Sequence, residues 1–144
     1  MEQDCVFCRI ARGESRASLI YEDEAVVAFL DIRPVTQGHT LVIPRRHATY
    51  LAELDDADGG RIFQVGQRVA GALRGSGLRC EGINFFLADG EVAGQEVFHV
   101  HLHVIPRHLN DGFGLRHPLG YGTMRPREEL DDLAGRIKGA LLPR

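Results

Sequence analysis

Three histidines fall within five residues, His99-Val100-His101-Leu102-His103, each separated from the next by an apolar side chain. Successive side chains of an extended chain point to opposite faces. A strand here would set all three imidazoles on one face and turn Val100, Leu102 and Val104 toward a core. Neighbouring rings would then start about 6.6 Å apart at Cα, close enough for two of them to address one phosphorus atom or one metal ion. Charged imidazoles so crowded repel one another, which favours the neutral ring near pH 7, the form that acts as nucleophile, base or metal ligand. Three solvated histidines on an edge strand is the competing reading. Just upstream, Gly90 and Gly94 punctuate a loop running to Val97. Glycines let backbone approach a ligand closely and aim N–H groups at an anion.

Cys5-Val6-Phe7-Cys8 has the spacing at which two thiolates grip one zinc ion from a tight turn. Two further ligands are needed, and His47 and His99 are the candidates for a closed structural site with two cysteines and two histidines. A redox pair shares the spacing, but it normally lies between a strand and a helix of a βαβ unit, a context absent here. Cys80 has no partner at such a spacing and reads as a small buried side chain.

The elements that must position these groups follow from periodicity and breakers. Cys5 to Ala11 reads as one or two helical turns ended by Gly13. Leu19–Glu22 and Ala25–Asp31 read as a hairpin around an acidic turn, and Thr40–Ile43 as a short strand stopped by Pro44. From Asp58 to Arg74, apolar residues at helical spacing predict the main helix, weakened by Gly66 and Gly71. Ile83–Leu87 and Val97–Ile105 complete the strands, the second closed by Pro106. The glycine-bearing stretch 107–125 is expected to be irregular. After it, Leu130, Leu133, Ala134, Ile137 and Leu141 share a stripe of a C-terminal helix, with acids in its first turn and Lys138 near its end. Strands and helices that do not alternate regularly predict an α+β fold with an antiparallel sheet.

Length and charge bound the rest. The 144 residues suit one domain spanning 1–144, with the motifs in 1–107 and a loop and helix in 108–144. Seventeen basic against twenty acidic side chains, a net charge of −3, give no global electrostatic case for nucleic acid or a membrane surface. No apolar run is long enough to span a bilayer, and the N-terminus lacks a secretion-signal pattern, so a cytoplasmic location is expected. Three cysteines cannot all pair within one chain, which fits a reducing compartment.

HVHLHVIPR (99–107), preceded by AGQEV (93–97), resembles the signature of the histidine triad (HIT) family of nucleotide hydrolases and transferases. FLDIRPVTQGHTLVIPRRH (29–47) is similar to that family's second block, and CVFC followed by RIARGE (5–14) to the N-terminus of its zinc-containing bacterial members. The resemblance implies a HIT-like fold: a five-stranded antiparallel sheet with one long helix and a C-terminal helix, in a homodimer. It implies His101 as the nucleophile on the α-phosphorus of a purine nucleotide, with AMP as the group released, and His103 on the phosphate oxygens. Zinc would lie among Cys5, Cys8, His47 and His99. Asp31 would meet the ribose hydroxyls and the base would lie among Val6, Phe7, Ile10, Phe29 and Ile32, with Asn84, Gly94, Gln95 and Val97 completing the nucleotide-binding set. Ala88 departs from the family's usual amide and Glu96 from its frequent small hydroxyl residue. Arg45, Arg46 and Arg107 read by default as exposed, solvated arginines, with screening of substrate phosphates as the alternative, and His39, His108 and His117 read as loop or structural residues. Two other readings stay open: a nucleotide-binding adaptor with negligible turnover, and a metallohydrolase whose catalytic metal is shared by the three strand histidines.

Overall fold

The computed structural model describes residues 4–141 and 143. The chain divides into two compact units, one ending at Phe113 and the other beginning at Gly114. The first carries β1 (Leu19–Glu22), β2 (Val26–Leu30), β3 (Thr40–Pro44), β4 (Gly82–Phe86) and β5 (Leu102–Arg107), with α1 (Val6–Ala11) before the strands and α2 (Asp56–Gly75) between β3 and β4. All pairings are antiparallel, in the order β1-β2-β3-β5-β4. The α+β class and the five-stranded sheet expected from the sequence are both present.

Alternation along the central strands builds two cores. Val26, Ala28, Val42, Leu102 and Val104 pack with Ile62, Val65, Val69 and Leu73 of α2. Their neighbours Val27, Phe29, Leu41 and Ile43 pack on the other side with Phe7 and Ala11 of α1. Each strand residue goes to one core and the next to the other because the side-chain period is two. The β1–β2 turn is closed by Asp23, whose Oδ1 accepts from the amides of Ala25 and Val26 at 2.8 and 2.9 Å. Such an Asx turn is the physical basis of the acidic breaker seen in the sequence.

Helix α2 begins two residues earlier than its apolar pattern, since Asp56 and Asp58 occupy the first turn, where the helix dipole favours acids. Gly66 is where it presses hardest on the sheet. A Cβ there would lie 2.9 Å from Leu102 Cδ2 and 3.2 Å from the Phe85 ring, whereas one at Gly71 would meet nothing within 4 Å.

The histidine segment differs from expectation. In place of a strand over Val97–Ile105 closed by Pro106, β5 starts at Leu102 and runs through Pro106 to Arg107. The Pro106 carbonyl accepts from Thr36 Oγ1 at 2.6 Å, on the side where β3 has already ended at Thr40 opposite Val104. The amide that proline lacks falls on that same unladdered edge, so the ring does not break the strand. At the other end the ladder with β3 stops at Leu102 opposite Val42. Only His103 therefore lies within the strand. His99 and His101 precede it in irregular chain held otherwise: residues 97–99 bend, with the His99 amide donating to the Val97 carbonyl at 2.9 Å, and the Val100 amide donates to the Ala48 carbonyl at 2.8 Å. The alternation nonetheless survives, with Val100 in the α2 core and the rings of His99 and His101 against Phe7.

In the second unit an irregular stretch leads to α3 (Arg127–Ala140), which has Glu128 and Glu129 in its first turn and Lys138 in its last, as its pattern predicts. Arg125 pairs with Glu129 at 2.9 Å, and the His117 and Tyr121 rings stack 3.8 Å apart. Among the described residues no helix is long and apolar enough to cross a membrane.

Candidate functional site

The register of three strands brings the first cluster together. Leu41 of β3 and Phe86 of β4 both stand opposite His103, so His39, two residues before Leu41, reaches the same place. The rings of His101 and His103 lie 4.9 Å apart, and those of His39 and His103 5.0 Å apart.

The hydrogen bonds settle which ring nitrogens carry protons in the neutral rings. His101 Nδ1–H donates to the His99 carbonyl at 2.7 Å, which leaves its Nε2 lone pair available. His39 Nδ1 accepts from the Val35 amide at 3.1 Å, so its proton sits on Nε2 and is donated to His103 Nδ1 at 2.8 Å. His103 then carries its own proton on Nε2, as a donor. One ring is thus prepared to attack and its neighbour to hydrogen-bond an oxygen. Burial keeps these rings neutral: it lowers the pKa of His39 and of His101, in each against the nearby Asp31 carboxylate. It pushes His103 down to about 4, aided by repulsion from His101 and His39.

A cleft of about 430 Å³ opens onto His101 and His103, within the range of small-molecule sites. Val6, Phe7, Ile10, Phe29, Ile32, Gly94 and Val97 line it, as does Asp31. Two of the residues expected to bind nucleotide are turned elsewhere. Gln95 is buried as a clamp on its own loop, its Nε2 donating to the carbonyls of Thr49 and Val97 and its Oε1 accepting from the Gly90 amide. Asn84 lies on β4 opposite Ile105, where Arg107 donates to its Oδ1. The arginines considered as phosphate screens are likewise engaged: Arg45 with Glu22 and the carbonyls of Ala11 and Asp23, Arg46 with Asp55 and Asp58, and Arg107 with Asp111. Ala88 is buried, while Glu96 is at the exposed rim of the cleft, 3.9 Å from Arg33. The residue that the sequence did not single out for chemistry is His39. Its only sequence signal is its place two residues before the strand partner of His103, which takes the sheet register to see.

The second cluster joins four residues remote in sequence. Cys8 Sγ lies 3.2 Å from His47 Nδ1 and 3.4 Å from His99 Nδ1, Cys5 Sγ lies 3.5 Å from His99 Nδ1, and the two ring nitrogens are 3.2 Å apart. Around one tetrahedral zinc, bond lengths near 2.0–2.1 Å to nitrogen and 2.3 Å to sulfur separate ligand atoms by about 3.3–3.6 Å. Proton placement agrees. His99 Nε2–H donates to the Pro44 carbonyl at 2.8 Å, so its Nδ1 lone pair points at the cluster centre, and His47 Nε2 lies 3.3 Å from the Thr49 hydroxyl, which is able to accept a proton from it and free the His47 Nδ1 in the same way. Two ring nitrogens and two thiols at these separations are a donor set that suits a cation.

Asp31, His39 and His103 form another close group, but its protons oppose a metal. His39 Nδ1 already accepts a backbone proton, so a neutral ring has to keep its hydrogen on Nε2, the atom facing the group. Among the described residues His101 belongs to neither group, and the rings of His99, His101 and His103 do not converge on one point.

Comparison with known proteins follows this geometry. The HIT domain family model matches residues 12–110. "Protein hit" of Bacillus subtilis is 44 % identical over 113 residues, covering 78 % of this chain and 77 % of that protein. "Adenylylsulfatase HINT3" of Arabidopsis thaliana is 30 % identical over 139 residues, covering 96 % and 70 %. Among solved structures, a HIT family protein from Bacillus anthracis superposes with a TM-score of 0.88 at 41 % identity, covering 96 % of this chain and 98 % of that one. A zinc-bound histidine triad family protein from Mycobacterium smegmatis does so with 0.75 at 41 %, covering 98 % and 100 %. With its sheet, its histidine segment and its match over most of its length in agreement, this chain belongs to the HIT family.

Proposed function

We propose that this protein is a nucleotidyl hydrolase that releases a nucleoside monophosphate, with AMP the leading candidate, through a covalent intermediate on His101. The observation that carries the reading is the tautomer of that ring: its Nδ1 proton is committed to the His99 carbonyl and its Nε2 lone pair faces the cleft. His101 Nε2 attacks the α-phosphorus, and the bond to the leaving group breaks, its electron pair departing with the amine, acyl or phosphate oxygen or nitrogen. The ring now carries a positive charge, which the His99 carbonyl stabilises through Nδ1–H. His103 donates its Nε2 proton to a non-bridging oxygen. Water then attacks the same phosphorus as the P–Nε2 bond breaks, its electron pair returning to His101; the proton that the water gives up balances the one the leaving group takes from solvent, and the nucleotide is freed.

The apolar walls from Val6, Phe7, Ile10 and Phe29 suit a purine ring, and Asp31 stands where two ribose hydroxyls could donate to it. The name of the Arabidopsis relative, an adenylylsulfatase, supports an adenylyl substrate. Cys5, Cys8, His47 and His99 would hold zinc, which supplies a structural cross-link between α1, the segment after β3 and the histidine segment. The zinc-bound Mycobacterium smegmatis relative supports that choice of ion. Reduced thiols in such a centre fit a cytoplasmic location, and the open edge of β4 fits a homodimer whose sheets join.

The test is rapid-quench labelling with an adenosine phosphoramidate radiolabelled in its phosphate. Label should appear on the wild-type chain and be absent from His101→Ala, which keeps its zinc. An unlabelled wild-type chain that still binds AMP would establish the adaptor reading instead, and loss of zinc from His101→Ala the metallohydrolase.

A further inference from the structure

Helix α1 has only six residues, too few to be stable alone in water. No side chain caps its N-terminus, and its buried residues are Phe7, Cys8 and Ala11. Its two ends of business are nonetheless different. Cys5, at the N-cap position, and Cys8 belong to the metal cluster, while Val6, Phe7 and Ile10 form a wall of the cleft. Phe7 touches both sides at once: its ring meets those of His99 and His101 edge-on, with centroids 5.9 and 5.2 Å apart, and that of Phe29 at 5.5 Å. His99 adds a second link, since the ring that faces the cysteines belongs to the residue whose carbonyl orients His101.

We propose that the metal centre and the nucleotide cleft are energetically coupled through α1, with Phe7 as the positioning residue between them. Metal occupancy then sets nucleotide affinity, and bound nucleotide slows loss of the metal. The proposal rests on the preceding reading of the cleft as a nucleotide site and of the cluster as a zinc site. A metal that fixes Cys5 and Cys8 fixes the backbone carrying Val6 and Phe7. A nucleotide base seated against Phe7 favours that same placement, and reciprocity follows because coupling free energy is shared by both ligands.

Two measurements on the full chain test this, neither of them an activity. In the first, zinc transfer from the loaded protein to a chromogenic chelator is followed with and without saturating AMP, inorganic phosphate at equal concentration being the control. In the second, AMP binding is measured by calorimetry on the loaded and the chelator-stripped protein. AMP, and not phosphate, should weaken zinc loss about fivefold or more, and stripping should weaken AMP binding by a similar factor. Phe7→Leu should keep zinc and, because it trims the wall of the cleft, weaken AMP binding to the loaded protein; both ratios, each measured within the variant, should nonetheless move toward one. If the stripped chain unfolds, the transfer assay on loaded protein decides alone. Zinc loss indifferent to AMP, in a protein that binds both, overturns the coupling and leaves the functional reading intact. Failure of the loaded protein to bind AMP overturns the functional reading and the coupling with it.

Discussion

A single backbone amide, that of Val35, determines which nitrogen carries the proton in two rings at the cleft. By donating to His39 Nδ1 it places the His39 proton on Nε2, and that proton in turn makes His103 a donor toward the cleft. His39 is buried, 2 % exposed, so it has no solvent with which to exchange this role. His39→Ala should therefore lower kcat/KM for AMP release from adenosine phosphoramidate by about 10- to 100-fold, the scale of losing an outer partner that orients a working side chain. His39→Gln, whose amide can donate to His103, should recover part of the loss. Unchanged turnover in His39→Ala would remove His103 orientation from the mechanism. The clustering of His99, His101 and His103 was legible in the sequence because their spacing is local. His39 was not, since its partner lies 64 residues away and only strand register joins them. The clamp that Gln95 forms on its own loop was not legible for a related reason: loop glycines announce a turn, but not which side chain closes it.

At the scale of the elements, the strands and helices follow their periodicities, and the departures occur where a polar group replaces a ladder bond. From His99 to His101 the side chains keep strand-like alternation without ladder pairing: residues 97–99 bend, the Val100 amide goes to the Ala48 carbonyl, and the His99 imidazole takes the Pro44 carbonyl. Period alone registers the alternation and is blind to the lost ladder. Proline was misjudged in the same way: Pro106 looks like a terminator until its bare edge is seen to face no strand. The two glycines of α2 separate helix propensity from packing. Gly71→Ala, facing open space, should stabilise the chain by about 0.5–1 kcal/mol, the helix preference of alanine over glycine. Gly66→Ala meets Leu102 and Phe85 at distances that force movement and should destabilise by about 1–3 kcal/mol, the usual cost of overpacking. Urea denaturation of the two variants at one pH measures both, and equal effects would show that α2 does not press on the sheet as described.

For the molecule as a whole, neutral buried histidines tie stability to pH in a definite direction. The His103 pKa falls from 6.5 unfolded to about 4 in the folded chain, and burial moves those of His39 and His101 the same way. Between those values the unfolded chain binds a proton that the folded chain refuses, so stability rises with pH across the window. Read downward, the contribution of His103 is complete above about pH 6.5, is lost as the pH falls toward about 4, and changes no further below that. The slope from one such group approaches about 1.4 kcal/mol per pH unit within the window. Chemical denaturation from pH 7.5 to 4 should show this loss, and His103→Gln should show a shallower one because it removes a titrating ring. Protons also compete with metal for the cysteines and histidines of the second cluster, so chelator-treated protein must be compared with itself. A wild-type and a His103→Gln profile that run parallel from pH 6.5 to 4 would mean that His103 is as readily protonated in the folded chain as in water, and that burial does not hold the ring neutral below pH 6.5.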